Sequence, residues 1–258
     1  MSEDIRIVIP ARFASERLPG KPLADIDGLP MIVRTARSAS ASGVSAVVVA
    51  TDDQRVAEVV AEHGVDVQMT SPDHPSGTDR LWEVVQARGW AADALVFNVQ
   101  GDEPLVPAAV IRQLADGMRD AQDVQVGTLC EPVEQIEDVF NPNVVKVVRD
   151  QHCRAIYFSR APIPFARGLF DDPAALDTLP QGVPYWRHIG IYAYRVSALE
   201  RFVGLGSSTL ERTEALEQLR LLEAGISMLV LEACEPVPGG VDTPEDLERV
   251  RRVVAGSG

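Results

Sequence analysis

The residues best placed to do chemistry lie near the start of the chain. Ile5, Ile7, Val8 and Ile9 form an apolar run that Pro10 cuts off, and the loop behind it carries Arg12, Arg17 and Lys21, with a Pro19-Gly20 turn before the lysine. In open α/β sheets, ligands collect outside the carboxyl ends of strands, where loop N–H groups and helix starts meet phosphate oxygens. Three fixed cations there suit a triphosphate better than a mono-anion, because each anionic oxygen takes its own charge-assisted hydrogen bond. The competing reading is a solvated loop whose arginines pair with nearby carboxylates for little gain.

Two aspartates offer the complementary charge. Residues 94–99 (ALVFNV) read as the strongest central strand and run into Gln100-Gly101-Asp102-Glu103-Pro104. Carboxylates behind a buried parallel strand suit Mg²⁺, which takes one or two of them and completes its shell with water and phosphate. Asp102 is preferred to Glu103 because it is nearer the strand end; a plain surface turn is the alternative. Near the C-terminus, Thr243 reads as an N-cap, Pro244 as the first helical residue and Asp246 as the capping-box partner. Asp242, just before the cap, has no such role and is the second carboxylate for a shared metal.

Other polar candidates are weaker alone. Ser76-Gly77 could face a ligand, although Ser76 also reads as an N-cap, and His74 reads as a loop residue. Ser159-Arg160 and Arg187-His188 flank β-type runs, where an arginine can hold a carboxylate or simply be solvated. Residues 210–224 read as one amphipathic helix with Leu216, Leu219 and Leu222 inward and Glu211, Glu214 and Gln218 along one stripe.

The elements that must position these groups follow from periodicity. Helices are expected over 30–41, 54–63, from 78, and over 107–120, alternating with strands at 44–50, 65–69, 94–99 and 124–129, which signals a mostly parallel, Rossmann-like α/β sheet flanked by helices. From 143 to 195 the runs resemble antiparallel ribbon, so an inserted β-rich subdomain is expected within one 258-residue domain, with an exposed loop over 166–182. With 46% apolar and 24% charged residues the chain has the composition of a folded globular protein. A net charge of −14 disfavours nucleic acid and anionic membranes as partners, so a small anion must be caught by local cations or a metal. Cys130, Cys153 and Cys234 have no metal-ligand spacing and read as packing residues of a protein in a reducing compartment. No apolar run reaches spanning length and Ser2-Glu3-Asp4 is unlike a signal segment, so a soluble cytoplasmic protein is expected.

Taken together, the segments IPARFASERLPGKPL, VVVATDD, SGTDRL, NVQGDEPL, FNPNVVKVV, YFSRAPIP, RHIGIYAYR, LERTEALEQLR and GVDTPEDLERV resemble, in order and across the whole chain, the 3-deoxy-manno-octulosonate cytidylyltransferase family. The resemblance implies transfer of CMP from CTP to the anomeric hydroxyl of 3-deoxy-D-manno-octulosonate (KDO), with release of pyrophosphate, for lipopolysaccharide biosynthesis. It also implies a homodimer paired through the inserted subdomain. It would place the triphosphate on Arg12, Arg17 and Lys21, the cytosine and ribose near Ala11, Ser76 and Gln100, and Mg²⁺ on Asp102 and Asp242, with Lys21 and both aspartates catalytic. The sugar acid would lie against Arg160, His188, Tyr192, Glu214 and Gln218.

Rival readings share parts of this pattern. Enzymes activating sialic acid with CMP usually carry a Gly-Ser-Lys loop where residues 13–17 read FASER, and an 8-amino-KDO enzyme differs only in its sugar. A non-catalytic nucleotide-binding module leaves the two aspartates unexplained. A dehydrogenase would need a Gly-x-Gly-x-x-Gly after the first strand, which is missing.

Overall fold

The computed structural model describes residues 5–15, 17–44, 46–170 and 176–256. Its frame is a sheet whose main path runs β11(Met228–Glu232), β7(Val126–Pro132), β10(Trp186–Arg195), β6(Leu95–Asn98), β1(Ile5–Ala11), β4(Ala46–Thr51), β5(Asp66–Met69). All neighbouring pairs on that path are parallel except the two made by β10, which runs antiparallel to both β6 and β7. The mostly parallel α/β expectation therefore holds, with one reversed strand in the middle.

Burial explains the strand assignments. In β1, Ile7 and Ile9 point to one face and Val8 to the other, and all three have no exposed surface. That near-continuous apolar run is what a sheet covered on both faces requires. Helices α1(Met31–Ser40), α2(Gln54–Glu62) and α4(Ala108–Asp120) cover the first face; α3(Gly77–Arg88), α6(Val196–Gly204) and α8(Gln218–Glu223) cover the second. The last helix, α9(Pro244–Ala255), instead packs Leu247 and Val250 on Ile26 of the small β2(Asp25–Ile26)–β3(Leu29–Pro30) hairpin. Its N-terminus is the capping box read from the sequence: Thr243 and Asp246 exchange side chain-to-backbone hydrogen bonds and Pro244 opens the helix.

The antiparallel texture of 143–195 resolves into β8(Lys146–Arg149), β9(Ala155–Ser159) and β10. β10 is a central strand of the main sheet, and β8 joins that strand at Lys146 opposite Arg187. Lys146 is wholly buried and donates all three of its protons to carbonyls, those of Asn141, Val144 and Arg160, at 2.6–2.9 Å. The loop expected over 166–182 has neither helix nor strand where it is described; 171–175 lie outside the described residues, as do Ser2, Glu3 and Asp4. A short helix, α5(Ile136–Phe140), and α6 were not anticipated.

Residues 210–224 are not one helix. α7(Thr209–Glu214) ends where Ala215 adopts φ 50°, and α8 starts at Gln218. Arg160 stabilises the break by donating from Nε to the Glu214 carbonyl at 2.7 Å and from Nη2 to that of Ala215 at 3.3 Å. The Glu211-Glu214-Gln218 stripe is thus broken up: Glu211 caps α7 and pairs with Arg220, away from the other two. Among the cysteines, Cys130 is buried and Cys153 half-buried as packing residues should be, but Cys234 is exposed, and all three are free thiols.

Candidate active site

The C-terminal ends of β1 and β6 open into a cleft of about 480 Å³. Ala11, Arg12, Arg17, Lys21, Gln100, Asp102 and Asp242 all line it, so residues more than two hundred positions apart in sequence meet there. Two glycines shape its walls. Gly20 takes a left-handed φ of 69° directly before Lys21, a conformation side chains other than glycine rarely adopt. Gly101 lies so close to β1 that a Cβ would sit 2.8 Å from the Pro10 carbonyl oxygen, so only glycine lets the β6 loop turn beneath it.

The electrostatic centre is Lys21. Its Nζ donates to Asp102 Oδ2 at 2.6 Å and to Asp242 Oδ1 at 2.9 Å, and Arg17 Nη2 lies 3.1 Å from Asp242 Oδ2. Burial works against the ammonium's charge, but Asp102 and then Asp242 outweigh it and the Lys21 pKa is raised. Glu103 packs beneath the 233–242 segment beside Gly240. Burial first, and the Asp102 carboxylate second, push its pKa up to about 8, and it is Asp102 that faces the cleft. Arg12 is oriented by the neighbouring loop, donating from Nη2 to the His74 carbonyl at 2.5 Å, while the His74 ring is itself hydrogen bonded to Glu83.

The chemistry of this donor set fits a divalent cation. Both carboxylates approach the same atom, Lys21 Nζ, and no cluster of three or more His, Cys, Asp or Glu occurs among the described residues. Two hard oxygen ligands facing a phosphate site are what Mg²⁺ uses when the substrate supplies the remaining oxygens.

A second cavity, about 290 Å³, adjoins the first and shares Gly77 and Gln100 with it. His188, Tyr192 and Gln218 line it, as do Thr78, Asn98 and Glu217. Arg160 and Glu214 do not. They bind each other behind the wall, the Glu214 carboxylate accepting from Ser159 Oγ at 2.6 Å and Arg160 N at 3.0 Å. Ser76 lines neither cavity: its hydroxyl caps α3 and donates to Asp79 Oδ2 at 2.6 Å, and Gly77 next to it forms the shared wall. Glu217, which accepts from Thr78 Oγ1 at 2.9 Å, was missed because an unbroken helix would have carried it off the Glu214-Gln218 stripe. His188 and Tyr192, four positions apart on β10, share one face as the two-residue period of a strand requires, and their ring centroids lie 5.4 Å apart.

His188 is a neutral imidazole here. Burial, with Arg187 adding to it, lowers its pKa to about 3. Thr128 Oγ1 spends its proton on the carbonyls of Ile189 and Ile191, so the oxygen accepts from His188 Nε2 at 3.1 Å and leaves Nδ1 as the acceptor. Burial also raises the pKa of Tyr192, keeping its hydroxyl protonated as a donor.

A helix-flanked α/β sheet, a basic loop at its carboxyl edge and two carboxylates converging beside that loop define a nucleotidyltransferase. A family profile described as cytidylyltransferase matches residues 6–230. The 3-deoxy-manno-octulosonate cytidylyltransferase of Cellvibrio japonicus (strain Ueda107) is 53% identical over 248 residues, 96% of this chain and 97% of its own. That of Pseudomonas syringae pv. syringae (strain B728a) is 51% identical over 256 residues, 99% of this chain and all of its own. A solved structure of CMP:2-keto-3-deoxy-manno-octonic acid synthetase complexed with CTP superposes with a TM-score of 0.89 at 43% identity, covering 98% of this chain and 99% of that one. The chain belongs to the cytidylyltransferase family, and within it to the 3-deoxy-manno-octulosonate cytidylyltransferases.

Proposed function

We propose that this enzyme joins CTP and KDO at the boundary of the two cavities, giving CMP-KDO and pyrophosphate. The observation that carries the reading is that a cleft lined by cations and two carboxylates and a hydrogen-bonding cavity without a cation share the wall formed by Gly77 and Gln100. A triphosphate in the first and a polyhydroxylated acid in the second would meet at that wall, where holding both substrates removes the entropy of a bimolecular encounter.

The residues divide the work. Arg12, Arg17 and Lys21 bind the triphosphate and stabilise the charge that builds on departing pyrophosphate. Ala11, Gly77 and Gln100 border the nucleoside, with Ser76 supporting that wall as the helix cap. Asp102 and Asp242 would hold Mg²⁺, which when bound supplies charge neutralisation at the α-phosphate and acidifies the attacking hydroxyl. Lys21 then exchanges its carboxylate partners for phosphate oxygens. His188 Nδ1, the Tyr192 hydroxyl, Glu217 and Gln218 provide donors and acceptors for the sugar, while Arg160 and Glu214 brace the α7–α8 break that presents the last two. Attack by the sugar hydroxyl on the α-phosphorus forms the O–P bond, breaks the bond to pyrophosphate and releases the hydroxyl proton to solvent, without a covalent enzyme intermediate.

A homodimer is supported by Ile156, Phe165 and Leu169, which are 59%, 62% and 49% exposed in and around the β8–β10 region expected to pair two copies. The place proposed for the enzyme is the cytoplasm, where it would supply activated sugar for lipopolysaccharide; no helix among the described residues is long and apolar enough to cross a membrane. The test is pyrophosphate release from each of the four nucleoside triphosphates, with and without KDO and Mg²⁺. Release only with CTP, KDO and Mg²⁺ together is expected; release with sialic acid instead of KDO would overturn the sugar, and no release would leave a nucleotide-binding module.

A further inference from the structure

Asp242 is delivered to the cleft by residues 233–242, a strap with neither helix nor strand. A carboxylate at the end of ten irregular residues holds a fixed place only if their backbone is tied down. At the two ends, Ala233 N donates to the Cys130 carbonyl and Cys234 N to Gln113 Oε1, both at 2.8 Å, and Asp242 N donates to Asp246 Oδ2 at 3.2 Å; three further ties lie between. Val241 N donates to the Asp102 carbonyl at 2.9 Å. Arg249 Nη2 donates to the carbonyls of Gly239 and Gly240 at 3.0 and 2.9 Å. At Val237, Glu131 Oε2 accepts from the backbone N–H at 3.1 Å and Arg187 Nη2 donates to the carbonyl at 2.9 Å.

The Val237 tie is built differently from the others. Glu131 and Arg187 are cross-strand partners on β7 and β10, and Arg187 Nε donates to Glu131 Oε1 at 2.8 Å. Opposite charges facing across a ladder stabilise each other, yet each of these also commits an atom to the same residue of the strap, so one ion pair grips both polar groups of one peptide position. Hydrogen bonds with one ionised partner are shorter and stronger than neutral ones. The Arg187 and Glu131 side chains are 28% and 21% exposed, bordering a separate cavity of about 470 Å³, so the grip is partly shielded from solvent. Neither residue lines either substrate cavity.

We propose that Glu131 and Arg187 are positioning residues for catalysis, acting on the nucleotide site through Val237 by fixing where the strap presents Asp242. The proposal rests on the reading of Asp242 as a cation- and nucleotide-site residue. Because Arg187 precedes His188 on β10, the strand that walls the sugar cavity also holds the strap of the nucleotide cavity.

The test compares Glu131→Gln, Arg187→Met and Arg187→Lys with the unaltered protein, reading backbone hydrogen exchange and steady-state kinetics with CTP, KDO and Mg²⁺. Glu131→Gln and Arg187→Met are expected to speed exchange at 237–242 at least tenfold while β1, β6 and α9 keep their protection. KM for CTP is expected to rise about tenfold with kcat at saturation nearly kept, and Arg187→Lys, which retains a donor and the charge, to recover part of both effects. Unchanged strap exchange would overturn the proposal, as would a uniform rise in exchange over the whole sheet, which would make the pair a general stabiliser. Faster strap exchange with unchanged KM for CTP would overturn it too. If Asp242→Asn leaves both kcat and KM for CTP unchanged, it is the reading of Asp242 itself that falls.

Discussion

If Asp102 and Asp242 hold a divalent cation as proposed, Lys21 competes with it for the same two carboxylates, and this competition sets a measurable quantity. The ammonium is hydrogen bonded to Asp102 at 2.6 Å and to Asp242 at 2.9 Å. The Asp102 contact is shielded, its two side chains being 16% and 29% exposed, and a hydrogen bond between charged groups in such a place contributes about 1.5–3 kcal/mol. Asp242 is 50% exposed, so its share is that of a surface pair, about 0.2–1 kcal/mol. A cation entering between the aspartates without CTP must therefore displace an ammonium worth about 2–4 kcal/mol. Replacing it by the similarly sized, uncharged side chain in Lys21→Met removes that competitor. Even the low end, about 2 kcal/mol, corresponds to roughly 30-fold tighter cation binding. The assay is Mn²⁺ binding to nucleotide-free protein, followed by electron paramagnetic resonance, for the unaltered chain and Lys21→Met. Catalysis by the variant should collapse at the same time, since the phosphate site loses a cation. Equal Mn²⁺ affinity for the two proteins would refute the reasoning, because it would mean that the carboxylates meeting at Lys21 are not those a metal uses.

Asp102→Asn keeps the size of the side chain and removes its charge, so kcat should fall by about 10³-fold while the thermal midpoint moves little; near-normal turnover at saturating Mg²⁺ would sink the metal assignment. His188 adds a pH dependence to stability whose sign follows from its lowered pKa of about 3. The unfolded chain binds a proton below about pH 6.5 that the folded chain refuses, so stability is full above that pH and is lost as pH falls toward 3, by up to about 1.4 kcal/mol per unit. Its ring borders an open cavity, which makes that slope an upper bound; urea titrations from pH 4 to 8 should show a flatter profile for His188→Gln, and parallel profiles would contradict the burial argument. Lys146→Met should destabilise by at least about 3 kcal/mol, since three carbonyls lose a charged donor, and a thermal midpoint within a degree of the original would show that water replaces the ammonium at no cost.

What could be read from the chain was chemistry that is local in sequence. The cap at Thr243, Pro244 and Asp246 was legible because every partner lies within four positions. The parallel strands were legible because burial on two faces demands continuous apolar runs. The break at Ala215 was not, because residues 210–224 keep helical periodicity and alanine is a good helix former. What ends α7 is Arg160, some fifty residues earlier, which takes the freed carbonyls of Glu214 and Ala215. The same fact explains why an arginine that looked suited to a carboxylate ligand spends its guanidinium on backbone instead. Similarly, alternation marks His188–Tyr194 as a strand but carries no information about its neighbours, so its place between β6 and β7 had to come from the fold.

The site itself divides along the same line. Arg12 and Asp102 sit within four residues of a strand end, where loop residues of an α/β sheet face the ligand edge by construction; Arg17 and Lys21 come six and ten residues after β1 and were marked by their charge and the Pro19-Gly20 turn rather than by nearness to the strand. Asp242 also follows a strand, β11, but at a distance of ten irregular residues, so its direction is not set by the strand and must be imposed by side chains elsewhere. The ion pair at Val237 and the Arg249 contacts supply that direction together with the cap residue Asp246, which accepts from the Asp242 N–H at 3.2 Å; the first three have a sequence context that marks them only as a strand glutamate, a strand arginine and a helix arginine. A nucleotidyltransferase with this architecture thus depends on two kinds of residue: those at strand ends, which sequence pattern reveals, and those that hold the loops, which become visible only when each backbone group of the strap is traced to its partner.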